Sequence, residues 1–201
     1  MLKQILLVHG GDPQATYEGY LEFLKNYPVS LERHALRQPD YQENLALQLG
    51  SEFQVIRPEM PNKRNAKYKE WKIWFERFLS FLNDDMILIG GSLGGTFLVK
   101  YLAENQFPKK IKAVFLLAAC FEDLDREPLM DFSLPKNLEQ VQSQCGKIIL
   151  YHSQDDKIVP FAHLAKFQLA WPKATVRIFK DRGHFQQPEL PELVEDIKQL
   201  F

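Results

Sequence analysis

A serine set between glycines is the first feature of this sequence with a chemical consequence. Gly90-Gly91-Ser92-Leu93-Gly94-Gly95 contains the pattern Gly-x-Ser-x-Gly. In a chain with 10 glycines, chance would supply that pattern roughly 0.02 times. An apolar run ends at Ile89 and a helical pattern begins near Leu93, so Ser92 falls on a strand-to-helix turn. Such a turn strains the backbone at the serine and leaves no room for side chains at the flanking positions, a demand that Gly90 and Gly94 meet. The hydroxyl then projects above the sheet, and the free N–H groups of the new helix face any negative charge that develops there. No Gly-Lys-Ser/Thr follows, which excludes a phosphate-binding loop of the Walker type. The chemistry implied is nucleophilic attack by Ser92.

A serine hydroxyl attacks poorly until a base takes its proton, and five histidines are present. His184 follows the last strand-like run and precedes the closing helix, at the same sheet edge as Ser92; it is the expected base. His34 lies in a weakly patterned segment and His163 inside a helical pattern. His152 ends a strand and reads as a core histidine, while His9 reads as a structural residue that holds the loop after the first strand. The acid that orients the imidazole is expected in the loop before the strand of His184, in the order Ser…Asp…His. Asp155 and Asp156 stand there side by side, one to turn inward and the other to face water. A tetrahedral oxyanion needs N–H donors. The expected ones are Leu93 and, in the loop His9-Gly10-Gly11-Asp12, Gly11, with Asp12 as the alternative. Histidines and cysteines lack the short spacings of zinc sites, and this chemistry requires neither metal nor cofactor.

The elements that must position these groups are legible as six short apolar runs: Ile5–Val8, Phe53–Ile56, Met86–Ile89, Ala113–Ala118, Ile148–Tyr151 and Thr175–Phe179. Continuous apolarity means strands covered on both faces, as in a parallel sheet between helices. Helical patterns alternate with them. Tyr68–Leu82 carries Trp71, Trp74, Phe75, Phe78 and Leu82 on one stripe, and Leu93–Glu104 turns Phe97, Leu98, Tyr101 and Leu102 inward. Pro160 and Pro191 suit helix first turns. The expected fold is a single α/β domain over residues 1–201, with right-handed crossovers. Gln14–Gly50 and Phe121–Gly146 fit the alternation poorly and are candidate walls of a site at the strand C-termini. Within the second, Phe121, Leu124, Leu129, Met130, Phe132 and Leu134 are expected to line a pocket. Trp71 and Trp74 read as core, and Lys63, Arg64, Lys67 and Lys69 as a solvated helix start.

Composition narrows the partners. Lys+Arg number 25 against Asp+Glu 26, a balance that argues against nucleic acid. The N-terminal apolar run is too short for a signal segment or a spanning helix, so no membrane partner is expected. Cys120 and Cys145 fall at opposite ends of adjacent strands, too far apart to bridge, and free thiols suit a cytoplasmic setting.

The phrases HGG (His9–Gly11), GGSLGG (Gly90–Gly95), DDKIVPF (Asp155–Phe161) and GHFQ (Gly183–Gln186) together resemble the small serine hydrolases of the retinoblastoma-binding protein 9/YdeN family, within the α/β-hydrolase superfamily. The resemblance covers Phe53–Phe201 and the first strand. It implies a compact α/β-hydrolase fold with a minimal lid. Its D-x-x-V-P phrase maps the acid to Asp156, and its G-H-F phrase maps the base to His184. The Gln14–Gly50 stretch is longer than that family usually has. The expectation is a serine hydrolase that cleaves a small-molecule ester, thioester or activated amide through a Ser92–His184–Asp156 triad. The alternative is a protein-binding module that keeps the hydrolase fold and uses the two irregular segments as its contact surface.

Overall fold

The computed structural model describes residues 2–31, 39–124 and 128–201. Each apolar run forms a strand: β1 (Lys3–Val8), β2 (Phe53–Ile56), β3 (Met86–Gly91), β4 (Ile111–Leu117), β5 (Ile148–Ser153) and β6 (Thr175–Phe179). They build one sheet in the order β2-β1-β3-β4-β5-β6, with every neighbouring pair parallel. Between them run α1 (Tyr17–Asn26), α2 (Tyr41–Leu49), α3 (Tyr68–Glu76), α4 (Leu93–Glu104), α5 (Glu139–Gln144), α6 (Ala162–Ala170) and α7 (Pro191–Lys198).

Side chains alternate across a strand, so each strand feeds two cores. Leu6, Val8, Leu88 and Leu116 pack with Trp71 and Phe75 of α3, Phe97 and Leu102 of α4, and Phe167 of α6. Ile5, Leu7, Ile89 and Phe115 pack on the other face with Tyr41 and Leu45 of α2 and Leu193 and Ile197 of α7. The sheet is therefore a middle layer, and its central strands are dry on both sides. The edges depart from that expectation, since β6, the last strand of the sheet, leaves Ile178 53% exposed. Cys120 is buried and Cys145 half-buried, and no disulfide joins them. Among the described residues, no helix is long and apolar enough to cross a membrane.

Two local expectations need correction. The Trp-rich helix ends at Glu76 and is followed by a separate 3₁₀ turn, Leu79–Phe81. Trp71, Phe75 and Leu82 are buried, but Trp74 is 39% exposed. At its position the stripe has drifted to the rim, where Trp74 meets Phe78 edge-on with ring centroids 5.6 Å apart. In the segment after β4, Phe132 is fully buried against Tyr68 and Trp71, and Phe121 meets Phe167 edge-on. These rings are core, because aromatic surface gains more from a dry aromatic neighbour than from a wet cleft.

Candidate active site

Ser92 joins β3 to α4 with φ 52° and ψ −127°, a backbone conformation that is costly for any residue with a side chain. Neighbouring bonds hold the strain. Its N–H donates to Leu117 O at 2.8 Å, and its carbonyl accepts from Gly95 N at 2.9 Å. The flanking glycines are required by contact. A Cβ on Gly94 would lie 2.2 Å from Val8 O, and one on Gly90 would lie 2.5 Å from the Gly95 Cα. Their absence lets α4 press its first turn against the ends of β1 and β3.

His184 sits in the turn after β6, and its Nδ1 donates to Asp156 Oδ2 at 2.8 Å. The other carboxylate oxygen of Asp156 accepts from Ile158 N at 2.8 Å and Val159 N at 3.0 Å. The carboxylate itself is sealed from solvent. Burial pushes this carboxyl up, but the bonds from His184, Ile158 and Val159 outweigh it and hold it below the usual carboxylate range. With Nδ1–H committed to Asp156, the neutral ring keeps Nε2 as an acceptor. His184 and Ser92 line the same cleft. Asp155 does not reach the ring. Nor is it an idle turn residue, because its Oδ1 accepts from Ser153 Oγ at 2.5 Å and Gly183 N at 2.8 Å.

The remaining histidines have other work. His9 accepts from Met60 N at 2.8 Å through Nε2 and donates from Nδ1 to Gly10 O at 2.6 Å. Burial lowers its pKa against that last bond, helped by Lys63 and Arg57, so it stays neutral and braces the loop after β1. His152 is buried, with Nε2 donating to Val159 O at 2.9 Å, and His163 accepts from Phe121 N at 3.0 Å. His34 lies outside the described residues.

Leu93 occupies the first position of α4, where a backbone N–H has no partner within the helix. In the facing loop, Asp12 N is taken by Lys63 O at 2.7 Å, which removes Asp12 as an alternative donor. Gly11 packs so tightly that a Cβ would lie 2.7 Å from Lys63 O. Of the two glycines in this loop, Gly10 lies beside the nucleophile: its Cβ position is 3.0 Å from Ser92 Cβ and 3.5 Å from Ser92 Oγ. Its signal was the doubled glycine after His9.

The cleft holds about 650 Å³. Leu124 and Leu129 line it from the segment after β4, and Phe23, Tyr27, Tyr41 and Gln42 from the 14–50 stretch. Both irregular segments are thus walls, although most apolar residues of the former went to the core. The basic cluster is solvated at Lys63, Arg64 and Lys69, as expected, but two of its members also face the cleft. Lys63 and Arg64 line the cleft, with Arg64 2.7 Å from Asp12 and 4.5 Å over the Tyr27 ring, while Lys67 donates to Gln14 O. Among the described residues, no group of three His, Cys, Asp or Glu could hold a metal ion.

An all-parallel sheet, a strained serine at a strand–helix elbow and an acid-tethered histidine across the strand tips define the α/β-hydrolase class. The serine hydrolase family model matches residues 35–192, and the chain belongs to that family. Serine hydrolase RBBP9 of Rattus norvegicus is 29% identical over 153 residues, covering 74% of this chain and 78% of the relative. The ydeN gene product of B. subtilis superposes with a TM-score of 0.73 at 18% identity, covering 99% of this chain and 98% of the other. A yden-like hydrolase from Pectobacterium atrosepticum gives 0.57 at 18% identity, covering 100% and 93%. The chain is an enzyme of the serine hydrolase type and is similar to RBBP9 and the ydeN product.

Proposed function

We propose that Ser92, His184 and Asp156 act as a triad that hydrolyses a small-molecule ester, thioester or activated amide through an acyl-enzyme. The observation that carries this reading is the Nδ1–Asp156 bond of 2.8 Å, which leaves His184 Nε2 as the free acceptor in the cleft that Ser92 shares. His184 Nε2 takes the Ser92 hydroxyl proton as Oγ bonds to the substrate carbonyl carbon, and the carbonyl π pair moves onto oxygen. Asp156 remains charged and stabilises the imidazolium. The amides of Leu93 and of the Gly10–Gly11 loop, Gly11 first among them, receive the oxyanion; removing one such donor costs roughly 3–4 kcal/mol of barrier. The pair on oxygen returns, the bond to the leaving group breaks, and that group departs with the proton from His184. Water, deprotonated by the same nitrogen, then attacks the acyl carbon; the acyl–Oγ bond breaks as His184 returns the proton to Oγ, which releases the acid and restores Ser92.

Charged and aromatic side chains from the 14–50 stretch and the loop after β2 share the cleft with the nucleophile, as do Leu124, Leu129 and Val159, a lining that suits a small substrate with polar and apolar parts. A fluorophosphonate probe tests the assignment directly. The native enzyme becomes labelled and Ser92→Ala does not, as read by intact mass. Equal labelling of the two would overturn it.

A further inference from the structure

The second carboxylate beside the triad is engaged in a way that the transfer of protons does not require. Ser153, the last residue of β5, is fully buried. Its hydroxyl donates to Asp155 Oδ1 at 2.5 Å and accepts from Arg182 N at 3.0 Å. The same Asp155 oxygen accepts from Gly183 N at 2.8 Å. Two consecutive backbone N–H groups of the turn that carries His184 are therefore held by one Ser–Asp pair rooted in the end of β5. Gly183 sits at φ 51°, in the left-handed region, so the chain there has been bent to present its amide. On the other side of the turn, Arg182 O accepts from Gln187 Nε2 at 2.5 Å and from Phe185 N at 3.1 Å.

We infer that Asp155, with Ser153, is a positioning residue that fixes the backbone of the base-bearing turn while Asp156 fixes the ring. The adjacent acids divide one task. Asp156 sets the tautomer and orientation of the imidazole, and Asp155 sets where the Cα of His184 stands relative to Ser92. A hydrogen bond to an ionised acceptor is shorter and stronger than a neutral one. The Ser153 hydroxyl first, and then the Gly183 amide, hold the Asp155 carboxyl below its ordinary range, so the anchor stays ionised throughout the working range of a histidine base. The division also explains why both acids stand at the end of one strand. β5 lies next to β6, and only a side chain leaving its tip can reach both the backbone and the ring of the next loop. The inference rests on the reading of His184 as the base.

The test uses the full chain and p-nitrophenyl acetate, with Asp155→Ala, Asp155→Asn and Ser153→Ala. A misplacement of about 1 Å can cost on the order of 100-fold in rate. Asp155→Ala is therefore expected to lower kcat by about 10–100-fold, with KM within about twofold of the native value. Asp155→Asn retains an oxygen acceptor for both donors and recovers most of the loss, with the pH midpoint of kcat/KM unmoved. Native kcat in Asp155→Ala, or an Asp155→Asn variant as slow as the alanine, would overturn the inference. So would a shifted midpoint, because charge and not position would then be the agent. Amide hydrogen exchange at Arg182 and Gly183, measured in a Ser92→Ala background, reads the anchor without any turnover. Exchange is expected to accelerate in Asp155→Ala and in Ser153→Ala, and unchanged exchange also overturns the inference. If the native enzyme takes no probe at Ser92 while the exchange result holds, the triad reading fails and the anchor stands.

Discussion

At the residue scale, the bonding of Asp156 dictates what its amide analogue would do. The two backbone N–H groups of Ile158 and Val159 demand an oxygen at Oδ1, so asparagine would place its oxygen there and turn its NH₂ toward His184 Nδ1. The ring would respond by carrying its proton on Nε2, where it can no longer accept from Ser92. Asp156→Asn is expected to fold and to lose kcat by about 10⁴-fold with KM little changed; a loss under about tenfold in steady-state assays would refute this. Which of the two acids turns inward was not decidable from residue type, because both are Asp on one turn. The deciding physics is local: the side chain of Asp156 collects amides two and three residues ahead, and only a turn into Ile158–Val159 supplies them. The placement of Ser92 and His184 at one sheet edge was legible because glycine spacing and strand-edge context constrain it. The place of Gly10 beside Ser92 was not, because proximity across the sheet leaves no mark beyond a repeated glycine.

At the element scale, the elbow is a contact between α4 and β1 that tolerates no extra atom. Gly94→Ala would drive a methyl to within 2.2 Å of Val8 O, and neither backbone can retreat without unpairing β1 from β3. We expect a loss of about 3 kcal/mol, at the upper end for overpacking, read as a fall in Tm and in denaturant midpoint. Gly19→Ala is the control. It lies on exposed α1, where a Cβ meets only Thr16 Oγ1 at 3.3 Å, and a helical alanine is favoured over glycine by up to about 1 kcal/mol. Equal stability of Gly94→Ala and the native protein would break the argument. The strands were legible because central parallel strands must be apolar throughout. Trp74 and Phe132 were misjudged for opposite reasons. Periodicity cannot say where a stripe meets its rim, and an irregular segment gives no period from which to judge burial.

At the scale of the whole molecule, pH acts through groups buried without charge. Burial lowers the pKa of His9, His152 and His163. Below the ordinary histidine value of about 6.5, the unfolded chain binds protons at these positions and the fold does not. Stability therefore declines as pH falls through that range. Asp156 has the depressed carboxyl of a bonded acid, and its contribution, complete above about pH 4, is lost as pH falls further. Tm should be level above about pH 7.5, fall between about 7 and 5, and drop more steeply below about 4. A flat Tm between pH 7.5 and 5.5 would contradict the burial of neutral imidazoles. The cleft's outer wall was the least legible part at this scale, since Phe23, Tyr27, Lys63 and Arg64 meet only through the fold. One consequence follows from the order of the strands. The elbow leaves β3, whereas the Asp156 carboxylate and the His184 ring stand in the loops after β5 and β6, and so emerge from the ribosome later. On the proposed triad, a nascent chain displays its alcohol long before the imidazole that would arm it, and turnover would signal that translation of the sheet has finished.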